Sequence, residues 1–416
     1  RILSDGYSSR LPRALVYDRP LCSGVSADFE GMEIAGAFLI EATARPGVSL
    51  VEVERQIHEQ LARLIQDGPT ESELKRAKTK WEFSFITGLE RIGGFGGKAD
   101  MLNRYNTYLG DPDGFRMDLE RHRGVTRDAV RQALARCIGP GRVVLRFRPD
   151  PAQRADVAAP DRAIVPALGQ DRDFVPPSIS TGRLDNGLEV RVVHRSDLPK
   201  VSVLLNVRGG VAEEPPQRGG LATLTMATID LGTRTRSAIE IEEAMGDQGS
   251  SLSAATEREG AGLAFSCLKR NLDGAFEILA DVARNPTFPE TEVAREKDRL
   301  VDALMQEAQY PMALGQRLAM MLRFGPEHPY GRPSRGLPAT VKTLSREELL
   351  AFYERTWRPD GAVLVMAGDV TLDEAMALAG RWLGSWSGKP DLQMAVGTAG
   401  PGRTGTYYVA DLRGAA

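Results

Sequence analysis

The sequence predicts an α+β layer fold that is built twice along the chain. Stretches with helical periodicity alternate with short β-branched runs that are typical of strands. In addition, the segment 125–150 aligns without gaps on the segment 344–369. A chain of 416 residues is long enough for two domains that each bury a core.

The repeat keeps its cap and its turn in register. Thr126 aligns with Ser345 and Pro140 with Pro359, and both pairs have the same offset (345 − 126 and 359 − 140 are both 219). Each copy predicts an N-cap, an amphipathic helix, a Pro/Gly turn and a buried strand. The long alignment favours a true domain repeat over a chance match between two common helix-turn-strand units.

Local signals place the other elements. Helices are predicted over 50–66 and from residue 70, and each begins with a capping box, Ser49-x-x-Glu52 and Thr70-x-x-Glu73. A third capping box, Ser345-x-x-Glu348, begins the helix of the second repeat copy. Further helices are predicted over 239–246, 271–284 and 290–308. Strands are predicted in a hairpin over 183–193, which has an Asn-Gly turn, and over 201–207.

The segment 149–180 separates the two copies. It is rich in Pro, Ala and Asp and has no helical periodicity, which is typical of an extended connector. Because it has little apolar surface to bury, we expect it to act as a hinge. The predicted domains are 1–148 and 181–393, and 394–416 is expected to be a linker with the first strand of a following domain.

Composition excludes several classes of protein. A net charge of −3 without a Lys/Arg-rich run argues against a nucleic-acid partner. There is no apolar run long enough to span a bilayer. The three cysteines, Cys22, Cys137 and Cys267, are too few and too scattered for a disulfide framework or a zinc site. A start at Arg1 without Met, and an end in a strand-like run, lead us to expect an internal piece of a longer polypeptide.

The most informative motif lies at residues 219–237, GGLATLTMATIDLGTRTRS. Its glycines, apolar helix and closing Gly-Thr-Arg-Thr-Arg-Ser resemble the inverted zinc motif H-x-x-E-H of peptidase family M16, the insulinase or pitrilysin family. The resemblance places Thr223 and Ala227 at the two histidine positions and Met226 at the glutamate position. The third zinc ligand, a glutamate late in the helix that begins near Glu290, is replaced by Ala303. None of these side chains binds zinc or transfers a proton.

Other landmarks of the same family follow in order. Asn285–Glu290, His328–Gly331 and Met366–Val370 resemble family turns and a closing strand, while Gly6–Leu11 resembles the G-x-x-S-R-L turn of a second-type domain. Some members carry an Arg and a Tyr after that turn to hold the substrate carbonyl.

Here Val16 and Ser23 occupy those two positions. Tyr17 and Arg19 are close in sequence but do not align with the Arg and Tyr positions of the family. The resemblance implies two homologous domains, each with a mostly antiparallel sheet packed against helices.

The remaining chemistry-bearing residues favour structural roles. Among the four histidines, His58, His122, His194 and His328, no two lie within a helical turn, so surface or locally bonded roles are expected. Asp302 and Glu307 are expected on a solvated helix face. The segment 93–98, GGFGGK, lacks the spacing of a phosphate loop and predicts a flexible loop or a helix interruption.

The resemblance implies that the chain is a non-catalytic half of a zinc metalloendopeptidase. It would form the wall or hinge of a clamshell chamber for peptide or protein substrates. Zinc is expected in an upstream catalytic domain of the parent protein and no cofactor in this chain; that catalytic domain is the expected partner, on the same chain or on another subunit. Bacterial members of this long type are often exported, which suggests the periplasm. The alternative is a stand-alone inactive subunit or a structural assembly module with the same fold.

Overall fold

The computed structural model describes residues 1–31, 36–138, 142–147 and 176–392. Two units are recognisable, an N-terminal unit formed by the described residues up to 147 and a sheet unit formed by 176–392. Most of the predicted connector, and all of the predicted terminal segment 394–416, lie outside the described residues. No helix among the described residues is both long enough and apolar enough to cross a membrane.

The N-terminal unit consists of a β-hairpin, six α-helices and one π-helix, Arg13–Tyr17, which directly follows the first α-helix. Strands β1 (Cys22–Gly31) and β2 (Gly36–Ala44) pair antiparallel. The helices are α1 (Arg10–Pro12), α2 (Leu50–Asp67), α3 (Glu71–Gly88), α4 (Lys98–Leu109), α5 (Phe115–Arg123) and α6 (Arg127–Cys137). A small core holds the unit together, formed by Leu3, Leu11, Leu15, Cys22, Ala27, Val53, Leu61 and Leu64.

The sheet unit contains six strands in the order β3-β4-β8-β5-β7-β6. The strands are β3 (Ser180–Arg183), β4 (Glu189–His194), β5 (Lys200–Arg208), β6 (Ser253–Thr256), β7 (Gly260–Leu268) and β8 (Val363–Gly368). Only the β4–β8 pair is parallel, so the sheet is mostly antiparallel, as predicted. The predicted Asn-Gly hairpin forms β3 and β4.

Helices cover one face of this sheet. They are α7 (Leu221–Thr228), α8 (Ala238–Asp247), α9 (Leu272–Arg284), α10 (Glu290–Glu307), α11 (Pro311–Phe324), α12 (Pro338–Val341), α13 (Arg346–Thr356) and α14 (Leu372–Leu383). On β5 the alternate residues Val201, Val203 and Leu205 are buried, whereas Leu204 on the opposite face is 41% exposed. The sheet therefore buries one face in the helical layer and leaves the other face open.

Two of the three predicted capping boxes are confirmed. The side chains of Thr70 and Ser345 accept from Glu73 and Glu348 backbone N–H groups, and both reciprocal bonds are present. The box at Ser49 is wrong, although its helix is present. The Ser49 side chain makes no cap bond, because the Glu52 carboxylate is held by Arg55 instead.

The helices of the repeat are equivalent, but the strands are not. Helices α6 and α13 have the same length and the same N-cap bond, and they begin and end at positions that differ by the predicted offset. The prediction of a buried strand after α6 is wrong: residues 142–147 are irregular, and Val143 and Phe147 are each 85% exposed. The two segments differ because they have different numbers of neighbouring strands to pair with. β8 bonds to β4 and β5 on its two sides, whereas the described N-terminal unit offers only a two-stranded hairpin.

Helix α3 of the N-terminal unit packs against α8 of the sheet unit. The contact is close at Gly249, which is buried with φ +70°, and a Cβ there would lie 2.6 Å from Thr79 Cγ2 and 2.9 Å from Thr79 O. Ion pairs surround the contact: Glu82 accepts from Arg270 at 2.9 Å, and Lys200 donates to Glu90 at 2.8 Å. The two units therefore share a specific, charge-rich interface.

We expect Gly249→Ala to destabilise the protein by on the order of 2 kcal/mol, since the added methyl group combines a left-handed backbone with a clash against Thr79. Denaturant unfolding measures this change. Gly315→Ala is the matched control, because Gly315 lies in α11 with open space around its Cβ position. There the substitution should be neutral or stabilise by roughly 0.5–1 kcal/mol. Equal effects at both positions would contradict the close interface.

Candidate functional site

The candidate site is built on α7, a short apolar helix at the centre of the sheet unit. Most of its side chains are buried, and the hydroxyls of Thr225 and Thr228 donate to the backbone carbonyls of Leu221 and Leu224, at 2.8 and 2.7 Å. These bonds satisfy the only polar groups that this helix carries into the core.

The N-terminus of α7 is capped by a buried carboxylate. Glu214 accepts from the backbone N–H groups of Gly220 at 3.2 Å and Ala222 at 2.6 Å, and only 4% of its surface is exposed. Backbone N–H groups at a helix N-terminus have no partner inside the helix, and the two oxygens of Glu214 satisfy two of them. Glu214 therefore fixes the position of α7 below the sheet.

The four motif positions lie where α7 packs against α10. Thr223 and Ala227 are partly exposed, on the same face of α7 one turn apart, and Ala303 is partly exposed on α10. The Thr223 hydroxyl donates to Ser334 O at 3.0 Å, while Met226 is 3% exposed and belongs to the core.

These side chains offer one hydroxyl already bonded to the backbone, one thioether and two methyl groups. Such a donor set does not fit zinc, which takes imidazole, thiolate or carboxylate ligands. Within the described ranges, no group of three or more His, Cys, Asp or Glu residues is arranged to hold a metal ion.

The second pair of predicted positions lies in the N-terminal unit. Val16 packs against the small core, and the Ser23 hydroxyl donates to Thr43 O at 3.3 Å on the hairpin. The neighbouring Tyr17 is an interface residue: its hydroxyl donates to Glu292 Oε1 at 2.9 Å, and the Arg295 guanidinium lies 4.0 Å from the centre of its ring. The alignment of Tyr17 with the family motif gave no indication of this contact between the two units.

The histidines have the expected surface or local roles. The ring of His122 stacks on Trp81 at 3.5 Å, His194 bonds to Val370 O at 3.0 Å, and His328 accepts from the Tyr330 N–H at 3.0 Å. His58 is partly exposed on α2. Residues 93–97 lie in the loop between α3 and α4, and Lys98 is the first residue of α4.

One of the two carboxylates near Ala303 is placed differently from the prediction. Asp302 is exposed, but Glu307 is only partly exposed and accepts from Arg335 Nη1 at 2.8 Å. Glu307 lines a cavity of about 470 Å³ that opens beside the motif positions. The same cavity is lined by Arg258, Arg317, Arg332 and Arg335. Because these arginines come from three separate segments of the sequence, around residues 258, 317 and 332–335, no local pattern predicted the cluster.

Two carboxyl groups near α7, those of the buried Glu214 and the half-buried Asp230, have raised pKa values. Burial raises the pKa of Glu214 to about 8, although its two backbone N–H donors favour the ionised form. Burial also raises the pKa of Asp230, just after α7, to about 6. In both cases the folded state binds a proton that the unfolded chain releases at lower pH.

We therefore expect the free energy of unfolding to fall as the pH rises from about 5 to about 8, since the unfolded chain loses these protons first. Glu214→Gln should flatten this slope, because the amide keeps an acceptor for the N-cap and does not titrate. Denaturant unfolding at several pH values measures the slope. Glu354→Gln, at an exposed carboxylate on α13, is the control and should leave it unchanged. A wild-type slope of the opposite sign would contradict the assignment.

Fold and site together define an α+β unit whose four motif positions carry no side chain that binds zinc. A family model described as Insulinase (Peptidase family M16) matches residues 190–328. A second model, described as Peptidase M16 inactive domain, matches residues 1–80 and 343–414. The two models match most of the chain between them, and the chain belongs to peptidase family M16.

Individual relatives agree with this family. The chain is 30% identical over 203 residues to an uncharacterized zinc protease of Mycobacterium leprae, a match that covers 49% of this chain and 45% of the relative. The chain thus spans about half the length of the curated relatives it matches.

Two solved structures share the fold. A peptidase M16 inactive domain from Pseudomonas fluorescens superposes with a TM-score of 0.50 at 22% identity, covering 52% of this chain and 53% of that one. The periplasmic protease PqqL from Escherichia coli superposes with a TM-score of 0.50 at 21% identity, covering 54% of this chain and 26% of that one.

Proposed function

We propose that this chain is a non-catalytic part of an M16 zinc metalloendopeptidase and forms a wall of its peptide-binding chamber. The observation that carries the proposal is the intact packing of α7 against α10 with Thr223, Ala227 and Ala303 at the ligand positions. Such a site keeps the architecture of a peptidase domain without the groups that activate water. Peptide hydrolysis is then the work of a catalytic domain with zinc elsewhere in the parent protein.

The open face of the sheet supports a role in holding peptides. A cleft of about 850 Å³ lies between this face and α3, and its lining includes Ser202, Leu204 and Ser266 from the strands and Phe83 from α3. Strand β6 is at the end of the sheet order and pairs only with β7 among the described residues. An extended peptide can bind such an edge by adding a strand, with main-chain hydrogen bonds for affinity.

The domain assignment extends this proposal. Residues 1–148 would be a second-type domain, 149–180 a connector and hinge, 181–393 a first-type domain, and 394–416 the start of a following domain. The inactive-domain model matches 1–80 before the peptidase match at 190–328, which supports this order, and it also matches 343–414 after it. A second-type domain before a first-type domain favours one long chain over a stand-alone subunit. The likeness to the periplasmic protease PqqL favours the periplasm as the compartment.

Metal and cleavage assays on the purified chain test this function. After dialysis the chain should contain no stoichiometric zinc and should leave a fluorogenic peptide uncut. The same peptide should still bind in a saturable manner, measured by fluorescence anisotropy. One tightly held zinc ion per chain with chelator-sensitive cleavage would overturn the proposal, and so would the absence of any peptide binding.

A further inference from the structure

Arginine side chains line a cavity beside α7. Strand addition by a peptide relies on main-chain hydrogen bonds and does not need these side chains. The cavity has a volume of about 470 Å³, within the range of small-ligand sites. It adjoins the replaced motif directly, since Leu304, the neighbour of Ala303, and Ser334, the acceptor of the Thr223 hydroxyl, are part of its lining.

The lining carries an excess of positive charge. Its four arginines face one carboxylate, Glu307, which is paired with Arg335 at 2.8 Å. Arg317 makes no hydrogen bond or ion pair within the described part of the chain. Arg332 Nη1 donates a hydrogen bond to the backbone oxygen of Glu214 at 3.0 Å. The Arg258 guanidinium lies 5.6 Å from the centre of the Tyr330 ring.

Two guanidinium nitrogens in this lining are buried without an acceptor. Arg258 Nη1 and Arg332 Nε each expose less than 1 Å² and have no hydrogen-bond partner among the described residues. A buried charged donor without an acceptor carries a large desolvation cost, and such groups are rare in native structures unless a ligand or ordered water satisfies them. An oxygen anion in the cavity would neutralise part of the positive charge of its lining.

We propose that this cavity is an oxyanion-binding subsite that takes a carboxylate group of a bound acidic peptide. The planar guanidinium fork of arginine matches the geometry of carboxylate and phosphate oxygens. The position suits a peptide on the sheet edge, because Arg258 lies in the turn that directly follows β6. The peptide part of this inference rests on the proposed function, and free inorganic phosphate offers the same chemistry from a second source.

Anisotropy titrations with two labelled peptides separate these sources. One is a short extended peptide with alternating Glu and Val, and the other has Gln in place of every Glu. Inorganic phosphate is added as a competitor. The acidic peptide should bind about tenfold or more tightly than the Gln peptide, and phosphate should remove the difference.

Substitutions in the cavity locate the effect. Arg258→Gln and Arg317→Gln should each weaken binding of the acidic peptide about tenfold and leave binding of the Gln peptide unchanged. Arg258→Lys, which keeps the charge and loses the fork, should give an intermediate value. Arg104→Gln removes one exposed charge on α4, outside the cavity, and should change neither. Thermal unfolding of each variant confirms that it is folded.

The outcomes separate the subsite from the proposed function. Equal binding of both peptides, unaffected by the cavity variants, overturns the subsite and leaves the peptide-binding wall standing. Phosphate binding that depends on Arg258 and Arg317, without binding of either peptide, supports the subsite and overturns the peptide function. Binding of neither phosphate nor peptide overturns both.

Discussion

A chain carrying Thr223→His, Ala227→His and Ala303→Glu is expected to retain about one zinc ion after dialysis, where the wild type retains none. The reason is the spacing of the replaced positions. Residues four apart on α7 present their side chains on one face, and α10, which carries Ala303, packs against α7. The three positions are partly exposed, so the larger side chains can be accommodated.

Zinc content by mass spectrometry checks this expectation. The variant with Thr223→His and Ala303→Glu alone supplies two ligands and should lose its zinc on dialysis, which makes it the matched control. We expect no peptide cleavage by the triple variant, because Met226 remains where a general base is needed. A triple variant that dialyses free of metal would show that α7 and α10 do not keep the ligand spacing.

Sequence alone predicted the frame of this site well. The resemblance to the family motif indicated α7, the sequence pattern predicted α10 over 290–308, and the turn Asn285–Glu290 precedes α10 as expected. This turn contains Phe288, a buried residue with φ +47°, whose carbonyl accepts from Arg346 at 2.8 Å. Local patterns identify such elements because backbone geometry and burial restrict the residue types at each position.

Sequence reasoning failed where the outcome depends on distant partners. Residues 142–147 after α6 have a β-branched pattern similar to that of β8, yet they form no strand and are exposed. A strand forms only where neighbouring strands can bond to it, as β5 does to β8. The arginine cavity is a similar case: Arg258 follows β6, Arg317 lies on α11 and Arg332 lies in the loop before α12. Only tertiary packing brings them together.

The second large effect is expected at the sheet edge where we propose that peptides bind, and it follows from the hydrogen-bond alternation of β6. The Glu257 N–H donates to Gly260 O at 2.7 Å, so this pair is a hydrogen-bonded one. In an antiparallel ladder the pairs alternate, which makes Ala255–Gly262 the next bonded pair and turns the N–H and C=O of Ala254 toward the free edge. Ala254 is therefore the position at which an added peptide strand would bond to β6.

We expect Ala254→Pro to weaken binding of the Gln-containing extended peptide about tenfold or more, because the ring removes the outward N–H and occupies the space of the incoming strand. Ala254→Val is the control: it keeps the N–H and favours the strand conformation, so binding should stay close to the wild type. Anisotropy with the labelled peptide measures both, and thermal unfolding should show both variants folded, since the bonds of β6 to β7 do not use the Ala254 N–H. If the proline variant binds the peptide as tightly as the valine variant does, the peptide does not add to this edge, and the open face of the sheet becomes the surface that holds it.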